Sequence, residues 1–223
     1  MSATSSPDEP PDAPPAERHV TICIDPGHPS ENGAGAVAAD GLHEVEANWQ
    51  VALALRDELT KRGAKVVMTK ASCDEKVTNR RRAEIANAAG AALCLRLHCD
   101  ANHGQGHTVY YPQQPGRAQG HEGPPREVRE ASARAADTLA DALKAGLGDE
   151  LVANGVKTDR ETAIGRRQGA LTGSVFSLVP VVTVEMVDLT HAADVRWMHA
   201  ADNRRQMASA LADGAMQFAQ GSR

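Results

Sequence analysis

Two histidines, His28 and His98, each close an apolar run that reads as a buried strand. Val20-Thr21-Ile22-Cys23-Ile24 precedes the first and Ala91-Ala92-Leu93-Cys94-Leu95 precedes the second. In an open α/β sheet, ligands gather at the carboxyl ends of the strands. Two imidazoles and one acidic residue there make a candidate zinc site, because a catalytic zinc takes three protein ligands and keeps a fourth position open. His28 ends the turn Asp25-Pro26-Gly27-His28, in which Asp25 is placed to accept a hydrogen bond from an imidazole N–H and so fix its tautomer. The third donor is sought at the start of the next helix, where Glu44 leads and His43 and Glu46 compete; acidic groups there also complement the helix dipole. His103 and His107 follow His98 in a loop and read as surface residues, one of them within reach of substrate. Cys99 adjoins His98 as a possible ligand or reactive thiol, but neighbours on an extended chain point to opposite sides.

A fourth feature is Glu185, directly after the β-branched run Val181-Val182-Thr183-Val184. A carboxylate closing a buried strand is costly unless paired. Beside a metal site it is the natural base, taking a proton from water and later giving it to a departing amine. Asp188 is the nearest alternative for that role. A purely structural reading pairs Glu185 with Arg166 or Arg167 instead.

The elements that must position these groups alternate. Strands are expected at Val20 to Ile24, Lys65 to Thr69, Ala91 to Leu97, Thr108 to Tyr111 and Val179 to Val184. Helices are expected at Glu44 to Arg62, Asn79 to Ala89, Pro125 to Leu147 and Asp194 to Phe218, the first two closed by Gly63 and Gly90. Gln113 to Pro125, rich in Gly, Pro and Gln, reads as a mobile loop. This order predicts a single α/β domain, a mostly parallel twisted sheet with helices on both faces.

The chain has 223 residues, enough for one domain with a full core. Aromatics are scarce, so Ala, Val, Leu and Ile must build that core. A formal charge of -5 gives no support for a nucleic-acid partner. Arg80-Arg81-Arg82 reads as a solvated helix start with one Arg pairing locally. The four cysteines show no C-x-x-C spacing; Cys23 and Cys94 lie within strand patterns as small hydrophobes. No stretch is apolar enough to span a bilayer, and no signal peptide is visible. Residues 1–18, rich in Pro, Ser, Asp and Glu, read as a disordered leader or linker ahead of a domain over residues 19–220.

With these residues in view, the chain resembles the zinc-dependent N-acetylmuramoyl-L-alanine amidases of the Amidase_3 type, a family of peptidoglycan hydrolases. Ile22-Cys23-Ile24-Asp25-Pro26-Gly27-His28 resembles the family's strand and DPGH opening. His43-Glu44-Val45-Glu46-Ala47-Asn48 resembles its metal-ligand Glu with an Asn four residues on, and Arg82-Ala83-Glu84-Ile85-Ala86-Asn87 its R-x-x-I-A-N helix. Leu97-His98-Cys99-Asp100-Ala101 and Pro180-Val181-Val182-Thr183-Val184-Glu185 resemble its second histidine strand and its catalytic glutamate strand. The resemblance implies Zn2+ held by His28, Glu44 and His98, and Glu185 as the catalytic carboxylate. It implies cleavage of the amide between N-acetylmuramic acid and L-alanine in peptidoglycan. It also implies action in the periplasm or the extracellular cell wall; we expect a monomer. Arg96 stands where the family usually has Ser, and Met186-Val187-Asp188-Leu189-Thr190-His191 replaces the usual Gly-Phe and later Asn. No long helical insertion is present to block the site, which is therefore expected to be open. The rival readings are a zinc peptidase acting within the stem peptide and a non-catalytic wall-binding module.

Overall fold

The computed structural model describes residues 19–221, so the leader expected over residues 1–18 lies outside the described residues. The chain runs β1 (Thr21–Pro26), α1 (Glu44–Lys61), β2 (Lys65–Met68), α2 (Asn79–Ala88), β3 (Leu93–Asp100), β4 (His107–Tyr111), β5 (Gly116–Ala118), β6 (His121–Gly123) and α3 (Arg126–Leu147). It continues through β7 (Ala153–Thr158), a 3-10 turn (Asp159–Glu161), α4 (Ala163–Gln168), α5 (Thr172–Val175), β8 (Val181–Asp188), α6 (Ala192–His199) and α7 (Ala201–Gly221). Among the described residues the main sheet has the order β2-β1-β3-β8-β4-β7. It is parallel except where β4 meets β8. The expected α/β architecture is therefore observed, with one antiparallel joint.

Alternation along the central strands divides the molecule into a large apolar face and a smaller polar one. Ile22, Ile24, Leu93, Leu95, Leu97, Val182 and Val184 face α1, α3 and α7, and meet Leu55, Leu59, Leu139, Leu143 and Leu211. Each fully buried Leu or Ile there contributes about 1.5–3 kcal/mol of transfer free energy. With few aromatics, small residues bring the helices close: a Cβ at Gly146 would stand 2.7 Å from that of Ala210, and one at Gly214 would stand 2.9 Å from Leu139. The opposite face has only a small apolar cluster, including Cys23, Ala86, Cys94 and Val181. Asp25, Arg96, His98 and Glu185 share that face, which the large core leaves free to carry polar groups.

Four sequence expectations change. The helix expected from Asp194 to Phe218 is two helices, broken at Ala200, whose ψ of 124° is extended. Neither Pro nor Gly marks the break. Arg204 and Asn203 make it tolerable by donating to the freed carbonyls of Met198, His199 and Trp197. The segment read as a loop contains the hairpin β5–β6, held because Gly116 and Gly123 fit flush against the backbones of Ala170 and Val175. Strand β7, partly exposed and containing Gly155, carries no apolar run to announce it and forms the sheet edge beside β4. His107 is buried, not on the surface: it starts β4, and its N–H donates to Val152 O at 2.8 Å. No helix among the described residues is long and apolar enough to cross a membrane.

Candidate active site

β1 and β3 are adjacent and parallel, so the turn after Pro26 and the end of β3 meet at one sheet edge. Gly27 makes that meeting possible: its N–H donates to Leu97 O at 2.8 Å, and a Cβ on it would lie 2.4 Å from the His98 ring. His28 adopts a φ of 60°, which turns its ring back over the sheet edge, and its Nδ1 donates to Gly33 O at 3.1 Å. That leaves the Nε2 lone pair free to ligate, 3.4 Å from Glu44 Oε1. The His98 Nδ1 lies 3.1 Å from the same oxygen.

Glu44 is held from both ends. Its Oε2 accepts the Ala36 N–H at 2.8 Å, and its Oε1 accepts the Cys99 N–H at 3.2 Å. Asn48, one turn along α1, donates to both Glu44 Oε1 and Gly27 O. Burial opposes the charge on Glu44, but the bonds to His28 and His98 outweigh it and hold the carboxyl well below the usual range. Burial keeps His98 below the ordinary histidine range, which favours the neutral imidazole that ligates metals.

One ligand atom each from His28, Glu44 and His98 lies within 4.8 Å of the others, an arrangement compatible with a metal ion. Two donors bound tetrahedrally at zinc-like distances stand about 3.3 Å apart. The observed separations of 3.4 and 3.1 Å match that edge. Two nitrogens and one carboxylate oxygen are also a borderline donor set that suits zinc.

The competitors fall away by position. His43 and Glu46 point from α1 into solvent, and His103 is exposed. Cys99 faces the large core, its thiol against Asn48 Oδ1 at 3.4 Å, as alternation requires. Asp188 is occupied with the loop after β3, accepting from the N–H groups of Asn102, Gly104 and Thr190.

Asp25 does not orient an imidazole. It is fully buried and accepts from Thr69 Oγ1 at 2.6 Å, Arg82 Nη1 at 2.6 Å and Arg96 Nε at 3.1 Å. Arg80 and Arg81 are solvated as expected, but Arg82 is only 2% exposed and pairs far along the chain. Its remaining donors reach the carbonyls of Pro26, Pro29 and Val77. The pair thus ties α2 to the turn that presents His28. Neither Arg82 nor Arg96 was legible as part of the site, since single basic residues give no sign of partners 57 and 71 residues away.

Glu185 pairs in register with His98 on one side and Thr108 on the other. It makes no ion pair with Arg166 or Arg167 among the described residues, and its Oε2 is buried without a hydrogen-bond partner. Burial, reinforced by the nearby charges of Asp100 and Glu44, pushes its carboxyl well above the usual range. It lines a cleft of about 390 Å³ together with His28, His98, Arg96, Tyr110 and Arg166. Three converging donors, a buried carboxyl group beside them and room for a chain-like ligand form a candidate site for metal-assisted hydrolysis.

Comparison with known proteins identifies the family. The Amidase_3 family profile, described as N-acetylmuramoyl-L-alanine amidase, matches residues 22–217. The chain is 29% identical over 201 residues to N-acetylmuramoyl-L-alanine amidase LytC of Bacillus subtilis (strain 168), covering 89% of this chain and 35% of that protein. It is 40% identical over 96 residues to N-acetylmuramoyl-L-alanine amidase CwlM of Bacillus licheniformis, covering 42% of this chain and 37% of that one. The matches thus span about a third of the length of these relatives. Among solved structures, the amidase Ami1 of Mycobacterium smegmatis superposes with a TM-score of 0.73 at 22% identity, over 92% of this chain and 98% of that chain. The amidase AmiC2 of Nostoc punctiforme gives 0.72 at 20% identity, over 90% and 97%. These two likenesses establish the shared fold. The match over nearly all of the described domain establishes the family: the chain belongs to the Amidase_3 family of N-acetylmuramoyl-L-alanine amidases.

Proposed function

We propose that the protein hydrolyses the amide between the lactyl group of N-acetylmuramic acid and L-alanine in peptidoglycan. The observation that carries this reading is the convergence of His28, Glu44 and His98 at one sheet edge with Glu185 in register beside them. His28, Glu44 and His98 would hold the metal, for which zinc is the assignment. Zinc, when bound, supplies a Lewis acid that polarises the amide carbonyl and eases deprotonation of water. Glu185 accepts the proton of the attacking water and returns it to the L-alanine nitrogen, without which the amine is a poor leaving group. Its buried, unpartnered oxygen suits both steps, because no fixed cation competes for it. Asn48 and the Ala36 N–H keep the Glu44 carboxylate aimed, and Gly33 keeps His28 in one tautomer. The substrate places the site of action outside the cytoplasmic membrane, in the periplasm or wall.

Dye release from purified peptidoglycan, with and without a chelator, tests the reading. Products separated by mass must show a new L-alanine amino terminus; cleavage inside the stem would make the protein a peptidase, and binding without release would make it a wall-binding module. Metal analysis is expected to give about one zinc per chain. His98→Ala is expected to lose most of it, and full retention would remove His98 from the ligand set. We further propose residues 19–220 as the complete catalytic unit. Removing residues 1–18 is expected to leave turnover and thermal midpoint essentially unchanged, and a large loss of either would assign that segment a part in the domain.

A further inference from the structure

Two arginines on the cleft beside His98, Arg96 and Arg166, are not used by the hydrolytic machinery. Asp25 carries one negative charge but is shared by two buried guanidiniums, Arg82 and Arg96. Arg82 commits its other donors to three backbone carbonyls. Arg96 sends Nε to Asp25 and Nη2 to Asn79 Oδ1 at 2.7 Å, and its Nη1 has no hydrogen-bond partner among the described residues. The backbone at Gly173 packs closely against the Arg96 guanidinium, since a Cβ there would stand 2.7 Å from Cζ and 3.0 Å from Nη1. Arg96 is 5% exposed, and it lines the cleft. Asp159 is buried and accepts the Leu171 N–H at 2.9 Å, and burial pushes its carboxyl above the usual range despite the Arg96 charge.

A second cation stands on the same cleft. Arg166 of α4 lines it, is exposed, and forms no ion pair among the described residues. Three carboxyl groups also line the cleft, those of Glu161, Asp100 and Glu185. Glu161 is turned back onto the Thr158 N–H at 3.0 Å. Asp100 lies four residues further along β3 than Arg96, roughly 13 Å away at strand rise.

The substrate tells which anion belongs here. Once the lactyl carboxyl is in the amide, the glycan side of the scissile bond carries no charge, so an anion must come from the stem peptide. Where the second stem residue is linked through its side-chain carboxyl, its α-carboxylate stays free one residue beyond the cleaved bond. One residue advances a chain by roughly 3.3–3.6 Å. Arg96 sits two residues before His98 on the same strand face, roughly 6.6 Å from it. A carboxylate one residue from the reacting nitrogen, on its own side chain or backbone branch, falls within that reach.

Resting on the amidase reading, we propose that Arg96 and Arg166 form an anion subsite that selects stems with a free carboxylate on the second residue over stems in which it is amidated. The guanidinium fork suits a planar carboxylate, and a neutral carboxamide in its place would present donors to donors.

The test uses a pair of ligands, N-acetylmuramyl-L-alanyl-γ-D-glutamyl-L-lysine and the same compound with the α-carboxyl converted to carboxamide. Binding to zinc-loaded protein carrying Glu185→Gln is measured by calorimetry, so affinity is read whether or not cleavage occurs. The acid form is expected to bind about tenfold tighter or more, the usual scale for a charge-assisted contact. Adding Arg166→Gln is expected to bring the ratio toward one, and Arg166→Lys to keep part of it. Arg166 carries the test because Arg96→Gln would also unseat Asp25. Equal affinities in the parent, or an unchanged ratio in Arg166→Gln, would overturn the proposal. Equal affinities alongside wild-type cleavage of the amide would remove the subsite alone. A preserved ratio with no amide cleavage by the wild type would remove the catalytic reading and leave the subsite standing.

Discussion

Glu185→Gln is expected to lower turnover on peptidoglycan by about 10²-fold or more, the range assigned to a positioned general base, while zinc content and folding persist. The substitution keeps the shape of the side chain and removes its ability to accept a proton. Its neighbours make the effect specific. The Glu185 Oε2 has no hydrogen-bond partner, so the change breaks no ion pair and unseats no other element. Steady-state dye release together with metal analysis of the same preparation checks it. Near wild-type turnover would move the proton transfer to another group, although Asp188 is tied to the Asn102–Gly104 backbone. Loss of zinc in this variant would make Glu185 a ligand. Since one factor of ten in rate is about 1.36 kcal/mol, the expected loss amounts to about 2.7 kcal/mol or more of transition-state stabilisation.

The second large effect is on stability. Asp25→Ala leaves Arg82 and Arg96 buried without their shared carboxylate, and breaking such a buried pair from one side costs about 3–5 kcal/mol. Urea unfolding at neutral pH is the measurement; a change below about 1 kcal/mol would show that the carbonyls around Arg82 suffice without Asp25. The pH dependence has a definite sign. Burial alone favours the neutral acid, but the charges of Arg82 and Arg96 and the Thr69 hydrogen bond hold the folded-state carboxyl well below the usual range. The unfolded chain therefore binds the proton more readily than the folded one. The Asp25 contribution is present in full above the unfolded value of about 3.9 and is lost as pH falls through the lower folded value. The gap between wild type and Asp25→Ala should accordingly be constant at neutral pH and narrow only in strong acid. Activity should fall with stability, because Arg82 also holds the Pro26 and Pro29 carbonyls that flank the His28 turn.

The candidate site residues that the structure brings together were legible because each sits at a boundary that local sequence marks. His28 and His98 end apolar runs, Glu44 starts an amphipathic helix, and Glu185 closes a β-branched run; the rules involved act over two to four residues. The helix break at Ala200 was not legible, since the groups that compensate it, Asn203 and Arg204, look like ordinary members of an exposed helix face. His107 was placed on the surface because nothing beside it in sequence shows that it will start a strand paired with β7.

Sequence by itself determined the alternation of strands and helices, the apolar face of each, and the types of donor available, because side-chain periodicity is a property of neighbours. Tertiary structure decided which donors meet. Asp25 turned from a presumed imidazole partner into the counter-ion of two arginines because the sheet order sets β1 beside β3 and α2 packs over that side, bringing Arg82 and Arg96 to it from 57 and 71 residues away. A buried carboxylate takes the strongest charge-assisted donors within reach, and reach is settled by strand order and close approach at Gly27, neither of which a linear spacing contains.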